Sequence, residues 1–386
     1  MLLVLGSYIF FNNIFVFIDD LIMAQNYTKL LKSIHPSRII FPLVIGFGVV
    51  AFFLFKDYKP GALSILHFTY FSILFLILAF VCMICRDIGY MIRIRILAEN
   101  KIGWLQAFRI IMLWEFTSAI TPSAVGGTSI AVLFVTKEGI SVGRSTSIVL
   151  ATSFLDELFF VLMFPCLLLL VNAKLLFATP QTGTAHALSF MNELFMFALI
   201  GYCLKFLYVI LVSYGLFVNP RAIKWLLLKV FKLPILRRWR NAANDVGTEI
   251  IISSIELRNK PFKFWLKAFG ATFLSWNARY LVVNMIFLAF FAVPDQFLLF
   301  ARQMAMWIMM LVSPTPGGSG FAEVIFTRYL GEFIPAAKAN LAEIAIALAF
   351  MWRIASYYPY LLIGSLILPG WIKSKFTHHE KDSIVL

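Results

Sequence analysis

Charged positions along this chain are grouped, and long apolar runs lie between the groups. Residues 39–55 and 354–372 carry no charge, 60–85 carry none apart from His67, and 193–218 hold Lys205 as their one lysine. Each run approaches or exceeds the ~20 residues that a helix needs to cross a ~30 Å hydrocarbon layer. The pattern predicts an all-α polytopic membrane protein. Lys29, Lys32 and Arg38 precede the first secure span, which places that end in the cytoplasm. Residues 39–56 then cross outward and 62–85 return to a basic loop at 86–104 that holds Arg86, Arg93, Arg95 and Lys101. The loop at 172–191 has only Lys174 and reads as external. The loop at 219–263 has ten Lys or Arg against Asp245, Glu249 and Glu256, and reads as cytoplasmic. Crossings at 145–171, 192–218, 264–293 and 341–368 bring the count to about six, with the carboxyl end inside.

Two segments do not fit as full crossings. Residues 105–136 start and end on the cytoplasmic side, and 295–338 start and end outside. Each has a cluster of helix breakers near its middle: T-P-S-A-V-G-G at 121–127 and S-P-T-P-G-G-S-G at 313–320. Both fit re-entrant helical hairpins entering from opposite faces. Paired interrupted segments in corresponding halves are the sequence sign of an inverted repeat. Backbone left unpaired at that depth needs protein or a water-filled cavity around it. Half-helix N-termini after Gly127 and Gly320 would offer free N–H groups and positive dipole ends to an anion.

Composition agrees with the pattern. Of 386 residues 61% are hydrophobic and 13% charged, against roughly 25% charged in soluble domains. The net charge of +14 sits in the loops between apolar runs, the arrangement of a membrane protein and not of a nucleic-acid binder. Cys82, Cys85, Cys166 and Cys203 all lie in apolar stretches as small packing residues. No metal site or cofactor is expected. Residues 1–37 form an extension that reads as an additional anchor, an interfacial helix or a mis-assigned start. Residues 38–372 form the membrane domain, and 373–386 a cytoplasmic tail. The 219–263 loop has Ile223, Trp225, Leu226, Leu227, Val230 and Phe231 among its basic residues, and reads as lying on an anionic leaflet.

Ionisable residues within spans are costly and default to function. Asp156 and Glu157 lie about 17 Å into their crossing at 1.5 Å per residue. Lys205, Arg279 and Arg353 are each mid-span, while Glu115 and Glu323 flank the two breaks. Opposite signs at similar depth predict pairing of Arg279 or Arg353 with Asp156, Glu157, Glu115 or Glu323. Alternatively, the arginines bind an anionic headgroup, since guanidinium suits bidentate phosphate recognition. The carboxylates would then accept protons or a cationic headgroup. No H-E-x-x-H, Walker A, G-x-S-x-G or D-x-D motif is present, so no enzymatic activity is expected.

Thr121-Pro122-Ser-Ala-Val-Gly126-Gly127 and Thr315-Pro316-Gly317-Gly318-Ser-Gly320-Phe-Ala-Glu323 together resemble motifs of the lysylphosphatidylglycerol synthase transmembrane, or flippase-like, family. E-G-I-S-V-G-R-S at 138–145 resembles that family's polar connector. The likeness runs from about residue 39 to 370, and the aminoacyltransferase domain that bifunctional members carry is not expected here. The Asp156-Glu157 pair departs from the acidic-basic pair expected at that helix position. The resemblance implies a translocase of a phospholipid or lipid-linked intermediate in the cell (inner) membrane. Its substrate would be bound by Arg279, Arg353 and the two broken-helix tips. The other readings are a membrane-embedded transferase acting on a polyprenyl phosphate, and an accessory subunit of a separate lipid-modifying enzyme. Which lipid, what energy source and which oligomeric state are left open.

Overall fold

The computed structural model describes residues 66–120, 124–177, 185–230, 232, 240–310, 325–335 and 341–376. These are helical nearly throughout. Helix α1, Tyr70–Leu97, opens on a capping box between Thr69 and Ser72, which satisfies two of the amides a helix start leaves free. It ends in a tight turn where Glu99 and Asn100 take left-handed φ values of 52° and 58°. Helices α2 (Trp104–Ile120) and α3 (Ala124–Lys137) follow. Gln106, at the start of α2, donates to Glu138, just past the end of α3, at 2.9 Å. The pair is therefore an antiparallel hairpin whose two open ends meet.

Helix α4 (Val142–Leu170), the single turn α5 (Ala173–Leu176) and α6 (Ala185–Ser213) come next, α6 continuing through a π-helical turn at Tyr214–Val218. Two helices occupy the basic stretch that the sequence reading treated as a loop: α7 (Pro220–Val230) and α8 (Arg240–Arg258). Helix α7 leaves Trp225 and Leu226 exposed beside Arg221 and Lys229. Then come α9 (Phe262–Leu288) and α10 (Gln296–Met310). After residues 311–324, the chain returns through a π turn, Phe326–Leu330, and a short 3-10 turn, Gly331–Phe333. Arg302, mid-way along α10, donates to Tyr329 O at 3.1 Å and pairs with Glu332 at 2.6 Å. The returning segment thus packs back along α10. Helices α11 (Leu341–Ser356) and α12 (Tyr358–Phe376) form one long span broken at Tyr357, just ahead of Pro359.

Among the described residues, four spans are long and apolar enough to cross a membrane: Tyr70–Leu97, Val142–Leu170, Phe195–Val218 and Ile344–Ile372. They present large apolar side chains outward, Tyr70 at 84% and Leu169 at 87% exposure among them. On spanning helices such a surface faces lipid. Helix α9 has the length to cross, carries Lys263, Lys267 and Arg279, and packs within the bundle. It lies along α1, with Gly89 set against Ala271 and Ser275 and with Ser275 Oγ donating to Arg86 O at 2.9 Å. Small residues at the contact let the two backbones approach. Two main cores result. One gathers residues of α9, α10 and α11 around Tyr280, Phe287 and Leu348; the other gathers α2, α3 and α4 around Leu113, Val135 and Leu155.

One expectation is corrected. The second crossing does not end at Cys85 with Arg86, Arg93 and Arg95 in a loop. Helix α1 runs on to Leu97, and Arg86 and Arg93 are 0% and 3% exposed. The charges do not end the helix because each buried guanidinium meets a carboxylate from a neighbouring helix. The first crossing (39–56) and the amino extension lie outside the described residues.

Candidate functional site

A cavity of about 340 Å³ lies in the middle of the bundle, where α1, α2, α4, α6, α9, α10, α11 and α12 converge. Its size suits a headgroup or small molecule. Six of the charged residues singled out from the sequence line it: Glu115, Asp156, Glu157, Lys205, Arg279 and Arg353. The first hairpin reaches it with Ser118, Ala119 and Thr128, and α10 with Trp307 and Met310. Gly126 and Gly127 fall in the first turn of α3. Thr121, Pro122, Thr315, Pro316, Gly317, Gly318, Gly320 and Glu323 lie outside the described residues.

Of the expected pairs, Arg279 with Glu115 is present, at 3.9 Å, while the tight contacts to the cavity carboxylates come from other cations. Asp156 is held by Arg93, which donates to both its oxygens at 2.6 and 3.1 Å, and by Trp276 Nε1 at 2.7 Å. Glu157 is held by Lys205 at 2.6 Å, and that ammonium also sits 4.2 Å from the Phe160 ring centroid. Glu115 is held by Arg86. In all three pairs the cation is buried while the carboxylate keeps 22–23% exposure. The carboxylates therefore face the cavity; Arg93 and Lys205 line it beside theirs, while Arg86 stands behind Glu115.

Arg279 is placed differently. Its guanidinium lies 4.3 Å from the Trp307 ring and 5.4 Å from that of Trp276. Its ionic contact is with Glu115 at 3.9 Å, beyond hydrogen-bond length; its Nε, like those of Arg86 and Arg93, is buried without a hydrogen-bond partner. Stacking on tryptophan holds the group in place without consuming its N–H donors. Arg353 also lines the cavity and is buried, against the rings of Trp352 and Tyr357, whose hydroxyl donates to Ala119 O at 3.0 Å. This site has the donor chemistry for an oxyanion and the exposed carboxylates for a cation. Among the described residues no three His, Cys, Asp or Glu are grouped to hold a metal ion.

The sequence reading missed Arg86, Asp87, Tyr90, Arg93 and Tyr360. A signal was available. Arg86, Tyr90 and Arg93 are spaced i, i+4, i+7, which puts all three on one helical face. Both arginines lie against Tyr90, at 4.7 and 4.6 Å from its ring centroid. The positive-inside pattern masked that periodicity.

The model of the lysylphosphatidylglycerol synthase TM region matches residues 39–364. The chain belongs to that family. The matched region takes in every element from α1 to α11 and every cavity residue. A membrane protein of Archaeoglobus fulgidus, described as a UPF0104 membrane protein, is 26% identical over 321 residues. That match covers 80% of this chain and 90% of the archaeal protein. No solved structure matches the chain. This member of the family is thus a multi-pass helical membrane protein with an ion-paired cavity at the centre of its bundle.

Proposed function

We propose that the protein translocates an anionic phospholipid or lipid-linked phosphate between the leaflets of the cell membrane. The headgroup enters the central cavity and Arg279 binds its phosphate. The observation that carries this reading is Arg279 itself: a cavity-lining guanidinium stacked on two tryptophans, with a loose 3.9 Å contact where Arg86, Arg93 and Lys205 are tightly engaged. Arg353 faces the same space and joins it in the binding site. The two hairpins, α2–α3 and α10 with its returning segment, both reach the cavity. That supports an inverted repeat of about six crossings, with the broken tips at 121–127 and 315–323 meeting the headgroup. Access then alternates as one half rocks against the other. The carboxyl end is cytoplasmic, and the unit that does this is 38–372.

Translocation of headgroup-tagged phospholipids in proteoliposomes tests the reading. Wild type is expected to move a subset of headgroups. Arg279→Ala should slow that movement about tenfold or more, the worth of one charged hydrogen bond. If every lipid stays in its leaflet with folded wild-type protein, the reading fails.

A further inference from the structure

Behind the cavity wall stands a carboxylate that the headgroup reading leaves unused. Asp87 follows Arg86 on α1. Arg86 Nη1 donates to Asp87 at 2.8 Å, and Nη2 donates to Glu115, so one wholly buried guanidinium serves two carboxylates. The Tyr360 hydroxyl, from α12, lies 3.0 and 2.9 Å from the two Asp87 oxygens. Arg279, from α9, is the fourth charge, 3.9 Å from Glu115. The cluster is electrically balanced only while Arg279 counts within it. The other two cavity carboxylates differ in this respect: Asp156 has Arg93, and Glu157 has Lys205.

We propose that the Asp87–Glu115 pair is a proton-binding site linked to the anion site. An anionic headgroup that takes Arg279 withdraws its charge from the cluster, and one proton from water enters the pair in its place. This rests on the reading of Arg279 as the phosphate contact. A buried carboxylate without a counter-charge is costly, and protonation removes the charge. Tyr360 accommodates both forms, because its hydroxyl donates to the carboxylate and accepts from the carboxylic acid. The remaining groups toward the pair are Tyr90 and Arg93, both from α1: Arg86 and Arg93 lie against the Tyr90 ring, and Arg93 is engaged by Asp156.

Dihexanoyl phosphatidylglycerol is the probe, since its phosphodiester keeps one negative charge throughout the titration. Its binding is measured in zwitterionic nanodiscs between about pH 5 and 8, together with proton uptake by calorimetry in two buffers. One linked proton makes the affinity rise up to about tenfold per pH unit lowered. Asp87→Asn should flatten that slope and abolish proton uptake, with Glu115→Gln as the second variant if the first does not fold. The same slope with glycerophosphoglycerol assigns the site to any phosphodiester anion, and a slope confined to the acylated probe assigns it to the lipid. Both support the linkage. Binding that is flat with pH in wild type, or a slope unchanged in both variants, overturns the proton site and leaves the Arg279 reading standing. Absence of binding at every pH overturns both.

Discussion

Arg93 shows what a buried cation does in this protein. It donates to both oxygens of Asp156 and to Thr272 Oγ1, so its charge is neutralised and most of its donors are used. Removing one partner of a buried pair strands the other, at about 3–5 kcal/mol, whereas replacing both with apolar groups is often neutral. Arg93→Leu should therefore lower the thermal unfolding midpoint in detergent sharply. Arg93→Leu with Asp156→Leu should recover most of the loss. If the double variant is no more stable than the single one, the pair is not the reason for the arginine's burial. Arg279 contrasts with it. Its guanidinium lies on the rings of Trp307 and Trp276, with Glu115 at 3.9 Å.

Between elements, close approach decides the geometry. Helices α1 and α9 meet where Gly89 faces Ala271, and a Cβ there would sit 2.9 Å from Ala271 O and collide with Ser275 Oγ. Gly89→Ala must push the helices apart or break the Ser275–Arg86 hydrogen bond, at about 1–3 kcal/mol of overpacking. Gly370, in α12, has nothing within 4 Å of its would-be Cβ, so Gly370→Ala should leave unfolding unchanged or slightly raised. The comparison separates a packing effect from a general response to added methyl groups. Displacing α1 from α9 also moves Arg86 and Arg93 relative to Arg279. Gly89→Ala is thus expected to disturb the cavity as well as the fold, read as reduced translocation.

Across the whole molecule, one end of the bundle is tied by ions that do not line the cavity. Glu99, in the left-handed turn after α1, pairs with Lys260 at 2.7 Å and with Arg144 at the start of α4; Arg144 also pairs with Glu256 near the end of α8. The hydrogen bond from Lys260, with further help from Arg144, holds the Glu99 carboxyl below the usual carboxylate range. A depressed value means the tie is at full strength above the ordinary carboxylate value of about 4.3 and is lost as pH falls through the lowered one. Hydrogen-exchange protection at 98–103 and 142–146 should hold at neutral pH and fall in acid, below about pH 4. Glu99→Gln should show the acid pattern at neutral pH. Equal protection in that variant and wild type would remove the clasp as a constraint on α1, α4 and α8.

Sequence alone determined that the chain is a helical membrane protein, because a bilayer demands about twenty apolar residues in a row and such runs are a one-dimensional property. It also placed Glu115, Asp156, Glu157, Lys205, Arg279 and Arg353 within the bundle, since each interrupts an apolar run. The two breaker clusters carried the family resemblance, and the family is shown by the match over residues 39–364. Which charge meets which was a matter for tertiary structure. Arg93 and Asp156 are 63 residues apart, and their meeting depends on how α1 and α4 are rotated toward each other. The end of α1 at Leu97 could not be read from its arginines either. A guanidinium in a span looks like a loop residue until a carboxylate from another helix neutralises it, and that partner exists only once the helices have packed.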